Sequence, residues 1–417
     1  MDVAGVAAVL LLAVVGGLAA LLAAATLTAR PAVFLAAGAA VSALVAVPGT
    51  TLVLARAGLR RRRLVPALVA LALAALVAAT LVLRAPAPAI PAAPPPGATT
   101  LALPDGTVLS VMRLPADPAP TRSPVVVLHG GPGIPDLAAN ATVLAPLTAQ
   151  GREVYLYAQR GSGASSRSSD PRTYGRDRDA ADLEALRVRL GLHRMVLLAH
   201  SYGAQVAAAY AATHPERVER LVLVSPGPLD PTDTSPGNAT GDLPAATRAD
   251  LAGRVLAPRP LLGYLLLQVD PAAAHAFFPD AEADARNDAV LSLAQPALFC
   301  DDPPGGSRVT GSGFYALQYP QSATAPTPAD IRPALSGLPV PTLIVKGSCD
   351  YLSWRSAIDY RRRLPDATLL YLAEAGHNAH QEQPAAFLAA TTTFLDGRRL
   401  PSPTTADAAP PDYAGPP

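Results

Sequence analysis

Lysine is almost missing from this chain of 417 residues: Lys346 is the single one among 33 basic side chains, the rest being arginine, which reads as the codon bias of a GC-rich genome. Cysteine is nearly missing too. Two cysteines cannot build a disulfide-dense scaffold, and no His, Cys or carboxylate spacing suited to a metal ion is present. Aromatics make up 5% of the residues, and the formal charge of +1 leaves no basic face for nucleic acid. What is abundant is Ala, Leu and Val, concentrated at the front.

Charge is nearly absent from Val3 to Leu27, from Ala32 to Ala55 and from Leu64 to Leu83. Each stretch is long enough to cross a hydrocarbon core of roughly 30 Å as a helix, so three transmembrane helices are expected over residues 1 to 83. Core helices of a soluble domain would carry a polar stripe, which these lack. A cleaved signal peptide would need a positive start, and "MDVAG" has none. The arginines at 60 to 63 belong on the cytoplasmic side, which places everything after Leu83 outside the membrane: a multi-pass cell-membrane protein with an extracytoplasmic domain. Residues 84 to 98, "RAPAPAIPAAPPPGA", read as a Pro/Ala linker, and 401 to 417 as a disordered tail.

Residues 99 to 400 are ample for a core. A β-hairpin is expected around Pro104, Asp105 and Gly106. Short apolar runs follow ("VVVLH", "EVYLYA", "MVLLAH", "VERLVLVS", "PTLIVKG", "ATLLYLAE"), most of them separated by helix-period stretches such as Asp179 to Leu190 and Gln205 to Thr213. Strand and helix in repetition predict an α/β fold with a mainly parallel sheet covered on both faces. Residues 228 to 335 interrupt the series and read as a helical cap.

Chemistry gathers where those strands end. "LLAHSYGAQVAAAY" gives strand, small-x-Ser-x-Gly, then an Ala-rich helix: the pattern of a nucleophile elbow, in which a strained turn lifts Ser201 above the sheet. A Ser in such a turn is otherwise an N-cap. A hydroxyl needs a base, and the base needs an orienting acid. His377 follows the last strand and Asp350 ends the strand before it, in the chain order Ser, acid, His. His380 is the alternative base, at the start of the next helix. Asp359 and Asp366 compete for the acid, but Asp359 beside Arg361 to Arg363 reads as a surface ion pair. His193, His214 and His275 read as structural, and His200 as packing in the elbow. For the oxyanion, the expected donors are the N–H of Tyr202 and that of Gly131 in the loop "HGGPG".

Taken in order, "HGGPG", "AQRGSGAS", "AHSYGAQ", "GSCD" and "AGHN" resemble the signatures of proline iminopeptidases and tripeptidyl aminopeptidases of the α/β-hydrolase superfamily, over roughly residues 100 to 397. The resemblance implies release of an N-terminal proline or short peptide from substrates with a free α-amino group; in the early loop, Gly130, Gly131 and Gly133 permit close backbone approach to substrate and Pro132 fixes the loop's shape. It also implies cap carboxylates that pair with the substrate's amino group. The cap acids are Asp280, Glu282, Asp284, Asp288, Asp301 and Asp302, with Glu282 the candidate for that contact; none matches the family's glutamate motif, and most read as a solvated helix face. A second departure is Ala158, where the family usually has Asp. Outside the membrane Cys300 and Cys349 are permitted to form a disulfide tying the cap to the acid loop, two buried thiols being the alternative.

The expected function is therefore that of a membrane-anchored serine hydrolase, an aminopeptidase in the first reading. An esterase or amidase acting on small substrates is the second, and an idle, anchored binding domain the third. "GSGAS" lacks the context of a dinucleotide site, and no cofactor or metal is called for. The sequence leaves the oligomeric state open.

Overall fold

The computed structural model describes residues 3–56, 72, 76, 93–233, 239–241, 243–301 and 308–416. Its first elements are two helices, α1 (Val3–Ala25) and α2 (Pro31–Arg56), packed as a pair and each long and apolar enough to cross a membrane. The third expected span, 64 to 83, lies outside the described residues except at 72 and 76, as does the linker up to residue 92.

Eight strands form one sheet: β1 (Ala98–Ala102), β2 (Val108–Leu114), β3 (Val125–Leu128), β4 (Val154–Tyr157), β5 (Met195–His200), β6 (Val218–Val224), β7 (Thr342–Gly347) and β8 (Ala367–Leu372). Their spatial order is β1-β2-β4-β3-β5-β6-β7-β8, antiparallel at the first two pairings and parallel thereafter. The hairpin around Asp105 and the six apolar runs all become strands. Alternation explains why the central runs carry no polar residues: on β5, Met195, Leu197 and Ala199 enter one hydrophobic layer, Val196 and Leu198 the other.

Helices α3 (Leu137–Leu144), α4 (Arg176–Arg189) and α5 (Tyr202–Thr213) follow β3, β4 and β5. Helix α5 is buried along most of its length, with Ala204, Ala207, Ala208 and Ala211 fully covered, so its small side chains let it lie close to the sheet. Gly203 is the tightest point. A Cβ there would stand 2.5 Å from the Leu128 carbonyl oxygen and 2.7 Å from that of His129, so no other residue fits without moving β3.

Between β6 and β7 the chain leaves the sheet for a helical cap comprising α6 (Ala245–Val255), α7 (Pro258–Leu267), α8 (Pro271–Phe277), α9 (Asp280–Ala294), α10 (Phe314–Gln318) and α11 (Arg332–Leu335). Its two ends are pinned together by Arg332, which reaches Asp230 at 2.7 Å. The cap shares a hydrophobic cluster with the helical pair: Leu21, Ala25 and Phe34 pack with Leu262, Leu266 and Phe277, the Phe34 and Phe277 rings lying 6.4 Å apart. The remaining helices are α12 (Trp354–Arg363), α13 (Ala379–Glu382) and α14 (Pro384–Leu395).

The expectation of a disordered tail is corrected. Residues 401 to 416 lie against the sheet edge and the acid loop: Thr404 pairs with Leu369 of β8, the Trp354 indole donates to the Asp407 carbonyl, and Tyr413 packs on Trp354. Proline stiffens this segment, so fixing it loses little entropy, while Tyr413 supplies apolar area that composition alone hides. Arg361 and Arg362 accordingly pair with Asp407 of the tail instead of Asp359.

Candidate active site

Ser201 stands between β5 and α5 with φ 54° and ψ −117°, a left-handed backbone that a serine adopts only under constraint. Its N–H donates to the Val224 carbonyl and its own carbonyl accepts from Ala204 and Gly227, which holds the turn closed. The side chain is not an N-cap, because it makes no bond to the helix it precedes. Ser201 is 6% exposed, and that remnant opens into a cavity of about 1160 Å³ roofed partly by the cap.

His377 lines the same cavity and is 3% exposed. Its Nδ1 lies 2.8 Å from Asp350 Oδ1. An ionised carboxylate can only accept, so Nδ1 carries the proton and Nε2 keeps its lone pair for a hydroxyl. Ser201 Oγ and His377 Nε2 make no hydrogen bond here; such contacts are commonly long before substrate binds and tighten afterwards. Asp350 is wholly buried. Burial alone would raise its pKa, but the Lys346 ammonium at 2.7 Å and the bond from His377 hold the carboxyl well below its usual range. Leu352 N–H adds a further bond to Oδ1.

The loop 129 to 133 meets Ser201 from the opposite wall. A Cβ on Gly130 would lie 2.9 Å from His200 Nδ1 and 3.0 Å from Ser201 Cβ, so this loop touches the elbow only because it is glycine. Gly131 has φ 117°, open to glycine alone. Tyr202 is the first residue of α5, where N–H groups lack intrahelical acceptors. Among the described residues neither the Gly131 nor the Tyr202 amide donates elsewhere, and both residues line the cavity, as do Gly130 and Pro132.

Behind the loop is a support that sequence reasoning missed. The Gln159 N–H donates to His129 Nε2 at 2.9 Å, which obliges Nδ1 to be the protonated nitrogen donating to the Gly130 carbonyl. Burial pushes His129 down to about 4, so it stays neutral. The Gln159 amide also binds the His129 carbonyl, and Arg160 is held by Asp182 at 2.8 Å. The "HGGPG" and "QRG" motifs are thus two halves of one brace. Ala158 sits buried next to it.

Three other histidines have partners of their own. His200 binds the His377 carbonyl through Nε2 at 3.0 Å, steadying the histidine loop from the elbow. His380, the alternative base, lines the same cavity but has its Nε2 taken by Asn140 Oδ1 at 2.8 Å, and burial pushes it down to about 4. His275 pairs with Asp280 inside the cap.

Glu282 is a correction. It does not line the cavity; both its oxygens are taken by Arg259 Nε at 2.7 and 2.8 Å, and Arg286 adds a bond at 2.9 Å. Two cations, Arg259 from α7 and Arg286 one turn along α9, neutralise this carboxylate within the cap, a pairing that α9's sequence shows only in part through the i,i+4 arginine. Asp284 and Asp288 are likewise occupied, by Arg167 and by the amides of 311 and 312. Asp302 lies outside the described residues.

Cys300 and Cys349 form a disulfide with Cα atoms 5.4 Å apart. It joins the cap, between α9 and α10, to the residue before Asp350. The adjoining Leu298 carbonyl accepts from His377 N–H at 2.8 Å, and Glu382 bridges the amides of Cys300 and Gly376. Cap, acid loop and base loop are therefore fastened at one point.

With this geometry in view, comparison with known proteins is direct. The family model of the alpha/beta hydrolase fold matches residues 123–384. The chain belongs to the α/β-hydrolase family. A probable proline iminopeptidase of Streptomyces coelicolor is 27% identical over 325 residues, covering 67% of this chain and 90% of that protein. A proline iminopeptidase of Heyndrickxia coagulans is 38% identical over 104 residues, a match spanning 25% of this chain and 35% of the relative's length. The human (lyso)-N-acylphosphatidylethanolamine lipase is 27% identical over 289 residues, covering 66% and 80%. Among solved structures, proline iminopeptidase from Mycobacterium smegmatis aligns over 72% of this chain and 98% of its own, with a TM-score of 0.49 and 21% identity. The chain is a hydrolase of this family, similar to proline iminopeptidases.

Proposed function

We propose that this hydrolase is a membrane-anchored serine hydrolase that cleaves an amide or ester bond through an acyl-enzyme on Ser201. The observation that carries the reading is the oriented Asp350–His377 pair in the same cavity as a serine on a strained elbow. His377 Nε2 takes the hydroxyl proton as Oγ attacks the carbonyl carbon, and the developing oxyanion rests on the N–H groups of Gly131 and Tyr202. Collapse of the tetrahedral adduct expels the leaving group, which receives the proton from His377. Water then enters, loses its proton to the same imidazole and releases the acid.

For substrate, the order of motifs and the proline iminopeptidases among the relatives support an aminopeptidase that releases an N-terminal proline or short peptide. One observation favours the esterase or amidase reading: Glu282 is committed to Arg259 and Arg286, so it offers nothing to a free amine. The two long apolar helices support anchoring in a membrane; the reading that the hydrolase domain lies outside the cell rests on the third apolar stretch, 64 to 83, and on the arginines at 60 to 63.

A panel of free-amino, amino-blocked and simple ester chromogenic substrates, tested on wild type and Ser201→Ala, decides among these. The peptidase reading expects cleavage only with a free amine. Indifference to blocking moves the assignment to the esterase, and equal activity in Ser201→Ala rejects the serine mechanism.

A further inference from the structure

Lys346 is the single lysine of a chain whose other basic side chains are all arginine, and it is fully buried. It lies on β7 four residues before Asp350. Its Nζ donates to Asp350 Oδ2 at 2.7 Å and to the Leu352 carbonyl at 2.9 Å, while the Tyr413 ring of the tail lies 5.9 Å from the ammonium. The other carboxylate oxygen, Oδ1, receives His377 Nδ1–H and Leu352 N–H. The two oxygens are thus divided between two cations or potential cations, and turning the carboxylate would break both sets of bonds. A compact ammonium is served here by Oδ2 and one carbonyl, whereas the planar fork of arginine would bring five donors, each in need of an acceptor.

We propose that Lys346 is a positioning residue of the hydrolytic site: its buried ammonium fixes the rotation of the Asp350 carboxylate toward His377 and sets the proton affinity of the Asp350–His377 pair. This rests on the serine-hydrolase reading above. The pair is faced by Lys346 from β7, by Tyr351 from the acid loop (ring 4.6 Å from that of His377) and by His200 from the elbow (4.7 Å). His380 and Glu382 come from α13, and Tyr413 from the tail. Burial keeps His200 and His380 neutral and both tyrosines protonated through the working range; it also pulls Lys346 down and pushes Glu382 up, and the Asp350 carboxylate against Lys346 works the other way, to hold the ammonium charged. Lys346 alone of these touches Asp350 through a charge. Removing a cation beside a coupled pair strengthens the pair's hold on its proton, wherever that proton sits, so the active form requires a higher pH.

The test uses the full chain in detergent and reads kcat, KM and the acid limb of the kcat/KM profile. Lys346→Met is expected to lower kcat by about 10- to 100-fold with KM within about twofold, and to move the acid limb up by about one pH unit. Should that variant not fold, Lys346→Gln, which keeps a donor without the charge, is read the same way. Tyr413→Ala, which opens the ammonium to water, moves the limb in the same direction by less. A folded Lys346→Met or Lys346→Gln whose acid limb stays with the wild type overturns the proposal, even if kcat falls. Activity retained in Ser201→Ala instead defeats the hydrolytic reading itself, so the two failures are distinct.

Discussion

On the function proposed above the cavity has a nucleophile wall and an acid–base wall, and the two are built from different materials. On the first, Ser201, Tyr202 and the loop 129 to 133 are placed by backbone: a strained turn, two glycines within contact distance, and neutral hydrogen bonds from His129 and Gln159. On the second, Asp350 and His377 are held by side chains drawn from far along the chain. These are a buried lysine, a disulfide spanning 49 residues, a glutamate bridge and the C-terminal tail. The difference fits that proposal: oxyanion donors need fixed geometry and little charge, whereas a general base needs a tuned field, which charges and their burial supply.

The largest expected effect tests whether both walls serve one reaction. Ser201→Ala should lower kcat by about 10⁶-fold, and Asp350→Asn by about 10⁴-fold, in steady-state assays of purified protein. A break confined to the backbone wall comes next. Gly203→Val drives a side chain into the carbonyls of Leu128 and His129, and thermal unfolding should show a loss of more than about 4 kcal/mol.

The acid–base wall is sharpened by smaller changes. Cys300→Ser, or reduction of the native protein, should cost about 2–4 kcal/mol in unfolding experiments and lower kcat, since the Leu298 carbonyl that holds His377 then loosens. Truncation after Leu400 removes Asp407 and Tyr413 and should cost about 1–3 kcal/mol.

An effect on pH dependence lies behind the backbone wall. Burial raises Asp179, which accepts from the Tyr202 hydroxyl, to about 7. The folded state therefore keeps a proton that the unfolded chain releases above its ordinary value near 3.8, and this group's contribution to stability falls as pH rises from about 4 to about 7. Asp179→Asn should flatten that fall in Tm measured across the interval.

The comparison also explains what could be read from the amino-acid order. Strands, the elbow, Asp350 and His377 were legible because each is local: an apolar run ended by glycine or a small polar residue at the point where βα loops face one another. Lys346 was legible only as composition, since its meaning depends on a carboxylate one turn of loop away and on a tail that covers it. The tail was misread because proline-rich composition says how little a segment can pack by itself, not what surface awaits it. Glu282 was misassigned for a similar reason: whether an acidic cap residue meets substrate or Arg259 depends on helix packing that no periodicity records.

The most direct measurement labels the purified full-length protein with a fluorophosphonate and maps the adduct by mass spectrometry after tryptic digestion. The account predicts a single adduct on the peptide from 195 to 217, at Ser201, absent from Ser201→Ala and much slowed in His377→Ala. An adduct on any other serine, or labelling that persists in Ser201→Ala, would contradict it.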